Sequence, residues 1–275
     1  MEITAAMVKD LREKTGAGMM DCTKALDEAK GIMDDAVDSL RMTGAAKAEK
    51  KAATRTAKEG LIFSSVDGKV GAVVEVLCET DFVAKNERFV AYGNDLAKRV
   101  AAMSGKDGDL AAEVIAAEKG GIVDLVMAIG EKIEIRRAFR WEAKDQGQVV
   151  FYNHHQKSKI VVMIEMAGEG ASGNEICMNI AFHNPRFIIP SDVPADVIAR
   201  EKDIAAAQVV GKPANMVEKI VEGKISKWYS DVCLMKMPWI FDDKTCLEKL
   251  APKVTVRRML RWSVGEGVVA IPKAD

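Results

Sequence analysis

Two adjacent histidines, His154 and His155, and a third, His183, are the side chains of this 275-residue chain best suited to acid–base or metal chemistry. An enzyme built on His154 or His183 would need a partnered base or nucleophile. A metal site would need a Cys or carboxylate at ligand spacing, and none accompanies the "YNHH" context. The pair therefore reads as solvent-facing or bonded to nearby backbone. The five cysteines (Cys22, Cys78, Cys177, Cys233 and Cys246) are odd in number and widely spaced, with no CxxC. Neither a disulfide framework nor a zinc site is expected, and a reducing cytosol is the natural compartment. "GAGMMD" (Gly16–Asp21) begins like a dinucleotide fingerprint, but it lies between two helical patterns and lacks the third glycine. GxxxxGK[ST], HExxH and GxSxG do not occur. No catalytic residue, bound metal or cofactor is expected.

A different kind of chemistry is suggested by "VLCETDFVAKNERF", Val76 to Phe89. An apolar strand-like run precedes it and a helix-like run follows. At the tip stand Asp81, Phe82 and Val83, where a loop is ordinarily polar. The phenyl ring either folds back as a staple under the following helix or enters another molecule. Thr80 suits a local role, because its hydroxyl can bond nearby backbone amides.

The totals limit what these residues can belong to. The chain is long enough for two or three domains. With 48% hydrophobic and 29% charged residues it reads as soluble and globular. Forty basic against 41 acidic residues argue against a dedicated nucleic-acid binder. Neither a membrane span nor a secretory leader is visible, so a cytoplasmic protein is expected.

The elements that position these residues follow from periodicity. Ile3, Met7, Val8 and Leu11 share a helical face behind Thr4 as N-cap. "TGAG" breaks it, and two further short helices follow, the third closing near Gly44. Residues 46–59, rich in Ala and Lys, read as a linker or solvated helix. From Gly60 the period becomes two, and "GLIFSSV-DGK-VGAVVEV" is a hairpin about Asp67-Gly68. Helices follow after Asn86 and over about 109–130, then a strand in "EKIEIRRAFRWEA". A second strand–turn–strand–helix unit occupies 147–183, matching the first in pattern but with little residue identity. Residues 193–228 read as two helices joined at Gly211-Lys212-Pro213, an αα-hairpin with coiled-coil character. Short strands return in "PWIF" and "VTVRRMLRWSVGEG". The fold class is α+β.

Four stretches taken in order carry a resemblance: "VKDLREKTGAGMMDCTKALDEAKGIMDDAVDSLR", "CETDFVAKNERF", "IGEKIEIRR" and "GKPANMVEKIVEGKISKWYSDVCLMKMPWI", with "VGEG" near the end. Together they resemble the translation elongation factor Ts family, guanine-nucleotide exchange factors for elongation factor Tu. The resemblance implies a three-helix, ubiquitin-associated-like domain (1–45), a linker (46–59) and two similar core subdomains. These are 60–140, and 141–192 with 229–267. It also implies a helical dimerisation hairpin (193–228) and a tail (268–275). Asp81 and Phe82, flanked by Thr80 and Val83, are implied to form a wedge that disturbs the Mg²⁺ and phosphate site of Tu. Met19 and Met20 are implied to meet its GTPase domain, the alternative being bundle core; one of each is expected, Met19 inward and Met20 outward. Ile129 and Gly130 match a second contact, the alternative being a helix C-cap. His154, or His155 if the register slips by one, approaches Tu's other domains.

Two departures from the family pattern stand out. The helix ending at His183 is expected to be short, and a C-terminal helix carried by some members is not expected. A homodimer or a two-to-two complex through 193–228 is compatible with the pattern, as is a one-to-one complex. Direct nucleic-acid binding is not expected. The rival reading is an RNA- or ribosome-associated protein without exchange activity, using Lys47–Lys58 with Arg136, Arg137 and Arg140.

Overall fold

The computed structural model describes residues 3–209 and 214–268. The predicted turn at 211–213 and most of the tail lie outside them. The fold mixes helices with antiparallel sheets and falls into two compact units. One comprises Met1–Ser65, Ala72–Arg140 and Ser263–Asp275, the other Val66–Gly71 and Trp141–Trp262.

In the first unit three helices open the chain: α1 (Ala5–Thr15), α2 (Met19–Glu28) and α3 (Met33–Thr54). Thr4 caps α1, its hydroxyl oxygen accepting from Met7 N–H at 3.3 Å. Gly16 ends α1 at φ +70°, a backbone conformation that an L side chain resists. Leu11, Cys22, Leu26, Ala36 and Leu40 form their shared core. The third helix does not stop at Gly44 but continues to Thr54, so residues 46–54 are helical. Gly44 is there for packing: a Cβ at this position would lie 1.9 Å from the Met127 sulfur. A side chain there would have to displace the Met127 thioether, which lies over the glycine.

The hairpin follows as β1 (Glu59–Asp67) and β2 (Val70–Cys78), with Gly68 at φ +54° in the turn. Next come the short helix α4 (Asp81–Ala84) and α5 (Glu87–Ala101). The edge strand β3 (Gly108–Asp109) leads into α6 (Ala111–Ala117), α7 (Lys119–Ile129) and β4 (Ile133–Glu142). The sheet order is β1-β2-β4-β3. Val74, Val76 and Cys78 of β2 pack against Phe89, Leu96 and Val100 of α5, forming the core behind the 79–83 connection.

The second unit holds β5 (Gln148–Asn153), a 3₁₀ turn (His154–Gln156), β6 (Ile160–Ala167) and α8 (Gly173–His183). After α9 (Ala195–Ala207) and α10 (Ala214–Val232) come β7 (Pro238–Trp239), β8 (Asp242–Cys246), α11 (Leu247–Leu250) and β9 (Thr255–Ser263). Strands β5-β6-β9 form one sheet, β5 and β6 pairing antiparallel with Val150 opposite Ile164. Helix α8 runs eleven residues and closes at Asn184 in the left-handed region (φ 52°). His183 is its last residue, and the chain leaves the helix directly into Asn184-Pro185.

Each unit contains the same buried device. Glu75 on β2 is fully buried and pairs with Arg136 (3.1 Å) and Arg137 (2.6 Å) on the neighbouring β4. Glu165 on β6, also buried, pairs with Arg257 (3.3 Å) and Arg258 (2.6 Å) on the neighbouring β9. Arg140 donates to the Ala101 carbonyl at the end of α5, and Arg261 to the Ala181 carbonyl near the end of α8. Aligned on these groups, "IEIRRAFRW" and "VTVRRMLRW" coincide at both paired arginines, the third arginine and the tryptophan. Residue identity between the halves therefore exists. It lies in the strand beside each hairpin, where a comparison of the hairpins alone does not find it.

Candidate functional site

The connection after β2 is shaped by its own polar residues. Thr80 caps α4: it has extended backbone (φ −125°, ψ 155°), and its Oγ1 accepts from Val83 N–H at 3.4 Å. This cap turns the chain so that Val83 and Ala84 go inward and Asp81 and Phe82 outward. Phe82 is 79% exposed. It is not a staple under α5, because a ring that packs there would be largely covered. Its near neighbour is the Lys85 ammonium, 6.0 Å from the ring centroid. Lys85 also pairs with Asp81 at 2.8 Å, but both groups are exposed, so the pair contributes little. Asn86 then starts α5, its side-chain oxygen accepting from Arg88 and Phe89 N–H.

The base of this connection is clamped by the turn after α7. Glu131 Oε2 accepts from the N–H groups of Glu79 (3.1 Å) and Thr80 (3.0 Å), and Oε1 accepts from the Thr80 hydroxyl (2.7 Å). In return, Glu79 Oε1 accepts from Lys132 N–H at 2.6 Å and from Arg55 at 3.0 Å. Burial would raise the Glu79 pKa, but the Lys132 N–H and the Arg55 guanidinium outweigh it and hold the carboxyl below its ordinary value. Lys132, itself nearly buried, donates to the carbonyls of Ala52 (3.2 Å) and Arg55 (3.0 Å) at the end of α3 and pairs with Glu134. The 131–132 turn thus ties the 79–80 backbone to the third helix.

Ile129 and Gly130 stand just before this turn. Gly130 is the C-cap of α7 at φ +90°, and its N–H donates to the Val126 carbonyl. Its carbonyl accepts from Lys51 of α3. Burial and the neighbouring Arg55 lower the Lys51 pKa.

Met19 and Met20 open α2. Met20 is 87% exposed, and Met19, expected to face inward, is 61% exposed. The bundle core is already filled by Leu11, Cys22 and Leu26, so neither methionine is needed there. Met19 instead lines an open apolar groove of about 740 Å³ with Ile3, Val8 and Thr23.

In the second unit His154 is half-buried at the start of the 3₁₀ turn, its Nδ1 3.2 Å from the Tyr152 hydroxyl. Burial, then His155 and Arg261, depress its pKa. His155 is exposed and sits at φ 52°, with its ring centroid 3.9 Å from that of His154. Neither ring has a carboxylate partner among the described contacts. Burial also lowers the His183 pKa, while a hydrogen bond with the Pro238 backbone opposes the shift.

Among the described residues there is no cluster of His, Cys, Asp and Glu able to hold a metal, and no helix long and apolar enough to cross a membrane. The arginines of the rival RNA reading are engaged elsewhere: Arg136 and Arg137 with Glu75, Arg140 with the Ala101 carbonyl at the end of α5. Glu79, Glu131 and Lys132 were not singled out from the sequence. The available signal was a carboxylate following a helix-ending glycine, which by itself does not name a partner.

A family model described as "Elongation factor TS" matches residues 79–266. An elongation factor Ts of Nitrosomonas eutropha is 44% identical over 97% of this chain and 93% of its own length. That of Methylococcus capsulatus is also 44% identical, over 98% and 94% respectively, and that of Photobacterium profundum is 40% identical, over 97% and 93%. The family model spans the 79–83 connection, the Glu131 carboxylate that holds it and the buried Glu165 pairs, the relatives cover nearly the whole chain, and on this footing the chain belongs to the elongation factor Ts family.

Proposed function

We propose that the chain is a guanine-nucleotide exchange factor that binds elongation factor Tu in its GDP form and promotes GDP release, so that GTP can bind. The observation that carries this reading is Phe82, a large apolar ring projecting into solvent from a capped and clamped strand–helix connection. A single exposed apolar side chain is ordinary by itself; what supports a contact role is that this ring is held out by a cap and a clamp. Driven between packed helices, it shifts them as bodies, because close-packed interiors transmit displacement. A GDP–Mg²⁺ site held to fractions of an ångström does not survive such a shift. Asp81 beside it places negative charge near phosphates that Mg²⁺ must balance.

No covalent step is needed. A factor that binds the nucleotide-free state best weakens nucleotide binding, and nucleotide weakens the factor equally. On this reading Met19 and Met20 form an adaptable contact with the GTPase domain. Ile129 and Gly130 add a second contact, and His154 reaches the other domains of Tu. Residues 1–45 act as the three-helix module, and 60–140 and 141–192 with 229–267 as two similar subdomains. Residues 193–228 serve as an antiparallel coiled-coil hairpin for pairing of two factors or for contact with Tu. The place of action is the cytoplasm.

The test is stopped-flow release of a fluorescent GDP analogue from elongation factor Tu, with wild type and Phe82→Ala. Acceleration by wild type that is largely lost in the variant supports the reading. Equal acceleration by both removes Phe82 from the mechanism, and no acceleration of an active Tu removes the exchange function.

A further inference from the structure

We infer that Glu131 is a positioning residue for exchange: its carboxylate fixes the 79–80 backbone and thereby presets the direction in which Phe82 projects. The inference rests on the reading of Phe82 as the displacing group. A wedge works only if its own backbone does not yield when pushed. Helix α4 has four residues, too few to hold itself in water. Its stiffness must come from outside, and the structure shows where.

One carboxylate takes three hydrogen bonds from two consecutive residues, at 2.7, 3.0 and 3.1 Å. Bonds to an ionised acceptor are roughly twice as strong as neutral ones. The Thr80 hydroxyl donates to Glu131, leaving its oxygen free to accept from Val83 N–H. Orientation of the hydroxyl by Glu131 and capping of α4 are thus one arrangement. The clamp is also reciprocal, since Glu79 accepts from Lys132 N–H. Glu131 follows the left-handed Gly130, whose φ of +90° turns the chain toward the 79–80 backbone.

Glu131→Ala removes all three bonds while leaving the exposed ring and its charge neighbours in place. Glu131→Gln keeps one oxygen for the two N–H groups and turns its amide to donate to the Thr80 hydroxyl, so it should rescue. The experiment is GDP-analogue release from elongation factor Tu across a titration of each variant, separating saturating rate from half-saturating concentration. Near-ultraviolet circular dichroism checks the fold.

Glu131→Ala is expected to lower the saturating rate about five- to tenfold while moving the half-saturating concentration less than about twofold. Glu131→Gln should stay within about twofold of wild type. The double variant with Phe82→Ala should match Phe82→Ala alone, because two residues acting as one unit are not additive. Should Glu131→Ala fail to fold, Thr80→Val is read against the same expectations. A wild-type saturating rate in the clamp variant overturns the inference, and so does a double variant that loses the product of the two single effects. If wild type accelerates release but Phe82→Ala does so equally, the underlying reading of Phe82 fails, an outcome distinct from the failure of Glu131 alone.

Discussion

The Thr80 hydroxyl and the Glu131 carboxylate lie 2.7 Å apart although 51 residues separate them in the chain. This bond joins the end of the central strand β2 to the turn after α7, and Phe82 projects two residues beyond it. Exposure and rigidity thus meet at one position, a combination with a cost, since an exposed phenyl ring adds nothing to the stability of the free protein.

Stability and activity should accordingly separate at this connection. Phe82→Ala should leave the unfolding free energy within about 0.5 kcal/mol of wild type, as exposed substitutions do. Val83→Ala next to it, facing the core, should cost about 1–2 kcal/mol. Equilibrium denaturation of both variants, set beside their GDP-release rates, checks the separation. A Phe82→Ala variant that unfolds much more easily would show that the ring is part of the core in solution.

The two methionines of α2 should behave as a contact surface. Met19→Ala with Met20→Ala should change stability by less than about 0.5 kcal/mol, because both are exposed. On the exchange reading it should raise the concentration needed for half-maximal GDP release and leave the saturating rate nearly unchanged. A fall in the saturating rate at unchanged half-saturation would contradict this assignment.

Gly44 should not tolerate a side chain while Met127 is in place. Gly44→Leu drives carbon into the Met127 sulfur and should destabilise the first unit by about 1–3 kcal/mol, the usual range for overpacking. Pairing it with Met127→Ala should recover part of that loss, which a denaturation cycle of the four proteins measures directly.

The buried Glu165 should make the second unit sensitive to acid. Burial alone would raise its pKa, but the Lys144 N–H, Arg258 and Arg257 outweigh it, and the folded value lies below the ordinary 4.5. The folded state therefore holds this group deprotonated more readily than the unfolded chain does. The stabilisation is fully present above pH 4.5 and disappears as pH falls through the lower, folded pKa. Glu165→Ala removes the buried carboxylate that both guanidiniums share and should cost about 3 kcal/mol at neutral pH. It should also flatten the dependence of unfolding on pH below 4.5, which thermal melts at a series of pH values would record. An unchanged acid dependence would mean that Glu165 is not among the groups controlling it.

The sequence by itself determined the order and type of most elements, the Thr4 cap, the helix that follows Asn86, the hairpin at Asp67-Gly68 and the residues of the 80–83 connection. These depend on helical and strand periods and on turn chemistry, which act over a few residues and leave a local pattern. The family resemblance was equally legible, because it rests on short motifs in fixed order. Only the tertiary structure decided what each residue faces. It placed Gly44 against Met127, so a glycine that looked like a helix stop lies inside α3. It turned Met19 outward, because other side chains had filled the bundle core. It brought Arg136 and Arg137 onto Glu75, residues 61 and 62 positions away, and Thr80 onto Glu131. Such pairs arise when distant segments close on one another. A carboxylate in sequence carries no mark of which donor it will meet, because that choice is set by the packing of the whole unit and not by its neighbours.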